Sequence, residues 1–418
     1  MSERGKQASE RPIWLDVVPL EAGAPSECWR RRATGDDWAQ AYGKAGAVPF
    51  SVRSTADLLP SPGASSALQH RLHSFDEFTR LRSVVIGTPF GANHPEIEAS
   101  FENFFRVPDD PVLRRAAIGP VVQSIIEEAE EDIQVFIQVL RSLNIEIIRP
   151  APTDSGVSFR TPHFEISQLY SLMPRDCLLV VGDLFIEVPS PSRARYFETF
   201  AFRPFIDAYL RKGAHAVAAP KPILGVESYR PAKGDGITEV EVLFDAANCI
   251  RLGRDIFMDV NHSANRRAVG WLERTLRGLV DDSIRVRPMS LGYDHVDVTL
   301  VPLRPGVILI DPVKVTERTI PQQFRNWDKV VVEEVMPTRA YGLPYPLASN
   351  DGIGRNVLAL DPQTVVVDEI QLPLIRALEK RKFTVIPLQY RHGRTFGGSW
   401  HCITLDTNRD GDLADYFS

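Results

Sequence analysis

Cysteine is scarce in this chain. Its 418 residues include four: Cys28, Cys177, Cys249 and Cys402. No two form a CxxC pair, and four are too few for a disulfide scaffold. In a reducing compartment each is a small buried hydrophobe or a reactive thiolate. A long apolar run is also missing. Nothing approaches the ~20 residues that span a bilayer, and Met1-Ser2-Glu3-Arg4-Gly5-Lys6 is polar where a secretory signal needs an apolar stretch. A cytoplasmic protein with no membrane partner is expected. Excess positive charge is absent too, the formal net charge being −6. The one basic cluster, Arg30-Arg31-Arg32, is short and is followed by Asp36 and Asp37. That leaves no block able to neutralise a run of phosphates, so no nucleic-acid partner is expected.

Several cofactor signatures are lacking as well. There is no GxSxG and no Walker motif. Gly352-Ile353-Gly354 lacks the third glycine of a dinucleotide loop and follows no strand. His262 and the group His392, His401 and Cys402 lack metal-ligand spacing. Asp406 to Leu413 imitates the first eight positions of a calcium loop, but Phe417 stands where a bidentate Glu is required. It reads as a polar turn. Neither a metal nor an organic cofactor is expected.

What is present divides in two. Residues 1–74 are rich in Pro, Gly, Ser, Ala and charge, and read as a partly ordered extension that touches the main body through Trp14, Trp29 and Trp38. From 75 to 418, short apolar runs bounded by Gly, Pro and Asp read as strands: 83–87, 145–148, 178–182, 307–310, 330–332, 357–360, 364–367 and 384–386. Helical periodicity occupies 112–143, 193–210, 265–279 and 372–381. The alternation predicts an α/β protein. The short spacing around Asp361-Pro362 predicts hairpins, hence mixed sheets.

Four segments place ionisable groups beside apolar strands, where sheet proteins gather their functional residues. They are Met173-Pro174-Arg175-Asp176-Cys177, Phe244-Asp245-Ala246-Ala247-Asn248, His295-Val296-Asp297-Val298-Thr299, and Phe396-Gly397-Gly398-Ser399-Trp400-His401-Cys402. Singly each has a plain structural explanation: a packed thiol, a core histidine, a capping aspartate. Jointly they supply Cys, His and Asp, the parts of an activated thiol. Two further carboxylates suit the forked hydrogen bonds of a planar guanidinium.

Together with Ala219-Pro220-Lys221-Pro222 and Gly253-Arg254-Asp255-Ile256-Phe257, these segments resemble the arginine amidinotransferase family from about Phe75 onward. The resemblance implies a single large catalytic domain folded as a five-bladed, pseudo-symmetric α/β propeller of ββαβ modules. It implies Cys402 as nucleophile, His295 as general acid and base, and Asp245 orienting that imidazole. Asp176 and Asp297 would grip the guanidinium of an L-arginine donor, and an acceptor amine would take the amidino group as ornithine leaves. Lys314 stands where the animal members use an arginine for the donor's carboxylate, and Ser349 and Asn350 where they carry two serines. Lysine lacks arginine's bidentate fork. Asn248 replaces a second family carboxylate. A homodimer is implied by resemblance. The 9 lysines among 48 basic residues point to a GC-rich bacterial source, and with the extension to specialised-metabolite biosynthesis. The alternatives are a deiminase-like hydrolase, in which water attacks second, and a silent binding scaffold.

Overall fold

Tight turns set the first step of the architecture. Strands Leu178–Val181 and Leu184–Glu187 pair antiparallel across Gly182-Asp183, and Cys249–Leu252 and Asp255–Asp259 across Gly253-Arg254. Both glycines sit at φ 62°, a left-handed conformation that costs little without a Cβ. The computed structural model describes residues 68–102, 111–150, 152–230, 236–292, 295–332, 335 and 351–417.

Each hairpin then gains a parallel third strand, which requires a crossover. His215–Ala218 joins the first after helix Arg203–Arg211, and Arg285–Met289 joins the second after helix Arg266–Leu279. Hairpin Leu300–Arg304/Val307–Ile310 receives Asp328–Val331 after a 3₁₀ turn at Gln322–Phe324. Hairpin Leu358–Asp361/Thr364–Asp368 receives Thr384–Leu388 after helix Leu372–Lys380. The remaining sheet is assembled from distant parts. Leu81–Ile86 takes Glu146–Ile148 in parallel after helix Gln123–Ser142, but its antiparallel partner is Thr404–Arg409. Five three-stranded sheets therefore share one order: an antiparallel strand, a central strand, a parallel strand. The chain is α/β with mixed sheets.

The helix Gln123–Ser142 is amphipathic. It buries Ile126, Ala129, Ile133, Phe136, Ile137 and Leu140, spaced three or four apart. Phe136 meets Trp400 at 4.7 Å between ring centroids, and Tyr390 packs on the same indole at 4.9 Å. Trp400 is fully buried, so the segment carrying His401 and Cys402 is anchored in the core.

Differences from the sequence expectations have local causes. The single helix expected over 112–143 is two, Pro111–Ala116 and Gln123–Ser142. Between them Gly119-Pro120 pairs with Asn93-His94, and a proline inside a helix would remove a bond and clash with the preceding turn. The helix expected over 193–210 is two 3₁₀ turns followed by Arg203–Arg211. The expected polar turn at 406–413 is in part a buried strand, with Asp406 and Arg409 in the interior. Residues 68–74, assigned to the extension, are strapped to the body: His73 N–H donates to Thr407 at 2.9 Å, and Ser74 exchanges bonds with Gly182 at 3.1 and 2.8 Å. Trp14, Trp29 and Trp38 lie outside the described residues. No described helix is long and apolar enough to cross a membrane.

Gly253 tests this packing. A Cβ there would lie 2.1 Å from the Ala414 carbonyl oxygen, at a φ that L side chains avoid. Gly253→Ala is expected to destabilise the protein by at least ~1–2 kcal/mol from backbone strain alone. Chemical denaturation would show this as a lowered midpoint.

Candidate active site

Asp176, Asp245, His295, Asp297 and Cys402 lie in short turns, each of which feeds the outer antiparallel strand of one three-stranded sheet. Asp176 is in the turn Pro174–Cys177 before Leu178–Val181. Asp245 precedes the 3₁₀ turn Ala246–Asn248 that leads into Cys249–Leu252. His295 and Asp297 belong to the turn at Val296–Val298 before Leu300–Arg304. Cys402 stands two residues before Thr404–Arg409. The turn Asp351–Arg355 occupies the matching place before Leu358–Asp361, and Asn356 follows it.

These turns bring the groups together. His295 Nε2 meets Asp245 Oδ2 at 3.1 Å, and its Nδ1 lies 3.6 Å from Asp176 Oδ1. The Cys402 thiol donates to Asp297 Oδ2 at 3.2 Å, and His401 Nδ1 bonds the same oxygen at 2.8 Å. Arg195 donates to Asp176 Oδ2 at 2.7 Å. Each of the three aspartates thus commits Oδ2 to the protein. Among the described residues, Oδ1 of Asp176, Asp245 and Asp297 is buried without a hydrogen-bond partner. Buried acceptors left in that condition are costly and uncommon.

The electrostatics follow from the crowd of carboxylates. Burial disfavours the His295 imidazolium, but Asp176, Asp245 and Asp297 outweigh it and raise its pKa to about 9. Burial pushes the Asp176 carboxyl up, and Arg195 and His295 oppose this without overcoming it. Burial works the same way on Asp297, but His401, His295 and the thiol lower that carboxyl to about 2. The Cys402 thiol is pushed well above its ordinary value by burial, then by Asp297 and Asp176. Without a cation beside it, Cys402 is a protonated donor.

Residues not singled out in the sequence hold this geometry. Asn356 Oδ1 accepts the backbone N–H groups of Ser399, His401 and Cys402 at 3.0, 3.1 and 2.9 Å, fixing the thiol's loop with one side chain. Arg175 Nε donates to the carbonyls of His401 and Thr404, both at 2.9 Å. Asn356 is the fifth turn's contribution, and the fivefold spacing of turns before strands was the signal that could have found it. Lys314 comes close to the site. A Cβ on Gly292 would lie 3.5 Å from its Cδ, and its charge opposes protonation of Asp259 and His262. Ser349 and Asn350 lie outside the described residues. Asn248, in place of a carboxylate, donates to the Asp259 carbonyl at 3.1 Å and to Asn261 Oδ1 at 2.9 Å.

Known proteins resemble this chain over most of its length. No family model matches the chain. Inosamine-phosphate amidinotransferase 1 of Streptomyces glaucescens is 35% identical over 345 residues, covering 82% of this chain and 97% of the relative. The L-arginine:L-lysine amidinotransferase of Pseudomonas savastanoi pv. phaseolicola is 34% identical over 355 residues, covering 82% and 96%. Among solved structures, the inosamine-phosphate amidinotransferase of Streptomyces griseus superposes with TM-score 0.77 at 34% identity, over 83% of this chain and 99% of that one. An amidinotransferase of the saxitoxin biosynthetic pathway from Microseira wollei gives 0.75 at 32% identity, with the same coverage. The protein is therefore an enzyme of the transferase class. It belongs to the amidinotransferase family.

The raised pKa of His295 has a consequence for stability. The folded value, about 9, lies above the ordinary 6.5, so the imidazolium's contribution is complete below about pH 6.5 and is lost as pH rises through 9. Urea midpoints should fall between pH 6.5 and 9.5, and His295→Asn should flatten that part of the profile.

Proposed function

We propose that this enzyme moves the amidino group of L-arginine to an acceptor amine through a covalent amidino-Cys402 intermediate. One observation carries the reading: three buried carboxylates, each with one oxygen lacking a hydrogen-bond partner among the described residues, adjoin an imidazole and a thiol. A guanidinium offers five N–H donors in a plane and a full positive charge. It would bond Asp176 Oδ1 and Asp297 Oδ1 and cancel the field that keeps the thiol protonated.

With the donor in place, Cys402 releases its proton to solvent and its sulfur attacks the guanidinium carbon. The carbon–nitrogen bond to the ornithine side chain breaks, and that nitrogen takes the proton of the His295 imidazolium. A pKa near 9 keeps this acid charged at neutral pH. Asp245 holds the ring in orientation. The acceptor amine then attacks the same carbon, gives a proton to the now neutral His295, and expels the sulfur. Two half-reactions through one covalent state predict ping-pong kinetics.

Other parts of the reading stand with it. Lys314 would receive the donor's carboxylate, and Ser349 and Asn350 would take part in recognising the donor. Residues 75–418 would form one catalytic domain, the five sheets closing into a ring around the site as a five-bladed propeller, and the protein would act as a cytoplasmic homodimer. The acceptor would be an amine of specialised metabolism. Support comes from the relatives, one named for saxitoxin biosynthesis and two for inosamine phosphate. Transfer is preferred to hydrolysis because the relatives above 30% identity are amidinotransferases.

The decisive experiment is incubation with arginine alone. Cys402 should gain one amidino group by mass spectrometry with release of ornithine, and adding an amine should discharge it. Cys402→Ala should lower turnover by ~10⁴-fold or more, as loss of a covalent nucleophile does. An unmodified Cys402 in an enzyme that still turns over would refute the intermediate. Ammonia or urea formed without an amine would favour the hydrolase.

A further inference from the structure

Asp297 has two tasks at one carboxylate, and the residue on its flank bears on both. Its Oδ2 takes the His401 Nδ1–H at 2.8 Å and the Cys402 S–H at 3.2 Å, while Oδ1 has no partner among the described residues. A carboxylate only accepts, so the His401 tautomer in this bond carries its proton on Nδ1. The ring's other nitrogen faces Glu77 Oε2 at 3.5 Å. Glu77 is itself locked by Arg251, whose Nε and Nη2 donate to its two oxygens at 2.8 and 2.9 Å. The backbone is fixed equally well. His401 N–H goes to Asn356 and its carbonyl to Arg175. The imidazole therefore cannot swing without breaking a buried chain of bonds. It also lines, with Asp297 and Glu77, a small cleft of about 10 Å³ whose remaining wall is mostly apolar.

We propose that His401 is a positioning residue for donor binding: by holding Asp297 Oδ2, it turns Oδ1 toward the guanidinium and keeps the side chain a carboxylate. This rests on the function proposed above. His401 itself neither touches the donor nor exchanges a proton with it, and it differs in this from His295. The arrangement explains why His401 can adjoin the nucleophile without acting as its base: its Nδ1–H points at Asp297, and sulfur is the second donor to the same oxygen. The charged and titratable groups around the pair are Cys402, His295 and Asp176 on the Asp297 side, and Glu77 with Arg175 and Arg251 behind His401. Burial works to protonate Asp297, and His401 is the first of the groups opposing it.

The test uses the full chain with His401→Asn, whose side-chain amide can place an N–H near the position of Nδ1, and His401→Ala, which has none. The carboxyl carbon of Asp297, followed by NMR in aspartate-labelled protein and assigned by its loss in Asp297→Asn, needs no substrate. In the native enzyme it should not titrate between pH 4 and 8. In His401→Ala it should titrate there, an upward shift of about two pH units past the ordinary 3.9. His401→Asn should stay flat. Kinetically, the KM for arginine should rise about tenfold in His401→Ala between pH 8 and pH 5, nearly one decade below a pKa raised about two units past 3.9. His401→Asn should stay within about threefold of native. A flat Asp297 signal in folded His401→Ala, or an Asn variant that behaves like Ala, would overturn the proposal. An enzyme whose carboxyl signals behave as stated but which never accepts arginine would instead fail the functional reading.

Discussion

Charge runs through the middle of this protein instead of decorating its rim. Arg251 donates to Glu77, Ser74, the Val180 carbonyl and Asp406, and Arg409 also donates to Asp406 and to the Ala359 carbonyl. Arg175 pairs with Asp406 and reaches the carbonyls behind Cys402. These guanidinium groups are almost wholly buried. Each joins strands of different sheets, so the sheets are registered by ion pairs as well as by side-chain packing. Removing one member of such a network leaves its partner buried and uncompensated, typically a loss of ~3–5 kcal/mol.

The candidate site applies the same chemistry with a deliberate imbalance. In the central network, acceptors are matched by arginines of the chain. At Asp176, Asp245 and Asp297 the hydrogen bonding is half complete: Oδ2 of each is bonded by Arg195, His295, or His401 with Cys402, while Oδ1 has no hydrogen-bond partner among the described residues, that of Asp176 lying 3.6 Å from His295 Nδ1. Under the function proposed above, a donor guanidinium would do at the site what the chain's own arginines do in the central network. That contrast gives selectivity a physical basis, since a neutral ligand would leave the negative field uncompensated. It also ties reactivity to binding, because burial and the same carboxylates hold the thiol protonated.

How much of this was legible in the sequence follows from where charge falls. Aliphatic strands such as Val307–Ile310 and Thr364–Asp368 lie close to where their composition places them. Strands with buried ions did not announce themselves. Arg251 interrupts Cys249–Leu252, and Asp406 and Arg409 disguise Thr404–Arg409 as a loop. Helix ends were legible where a side chain declares them: Asn265, at the head of Arg266–Leu279, accepts the Ala268 N–H. At the site, the motif residues Asp176, Asp245, His295, Asp297 and Cys402 converge as their chemistry suggested. Asn356, His401 and Arg195 were passed over, since their meaning lies in through-space partners 45, 104 and 19 residues away.

The pairing of Leu81–Ile86 with Thr404–Arg409 has a bearing on biosynthesis. A ribosome emits the central strand of that sheet more than three hundred residues before its antiparallel mate, and the mate begins two residues after Cys402. Carboxylates and imidazole could gather on the emerging chain while Cys402 is still to be made. A chain cut short before residue 402 would lack both the chemistry and the strand that completes the sheet. Any such fragment would expose an unpaired strand edge, a ready template for aggregation.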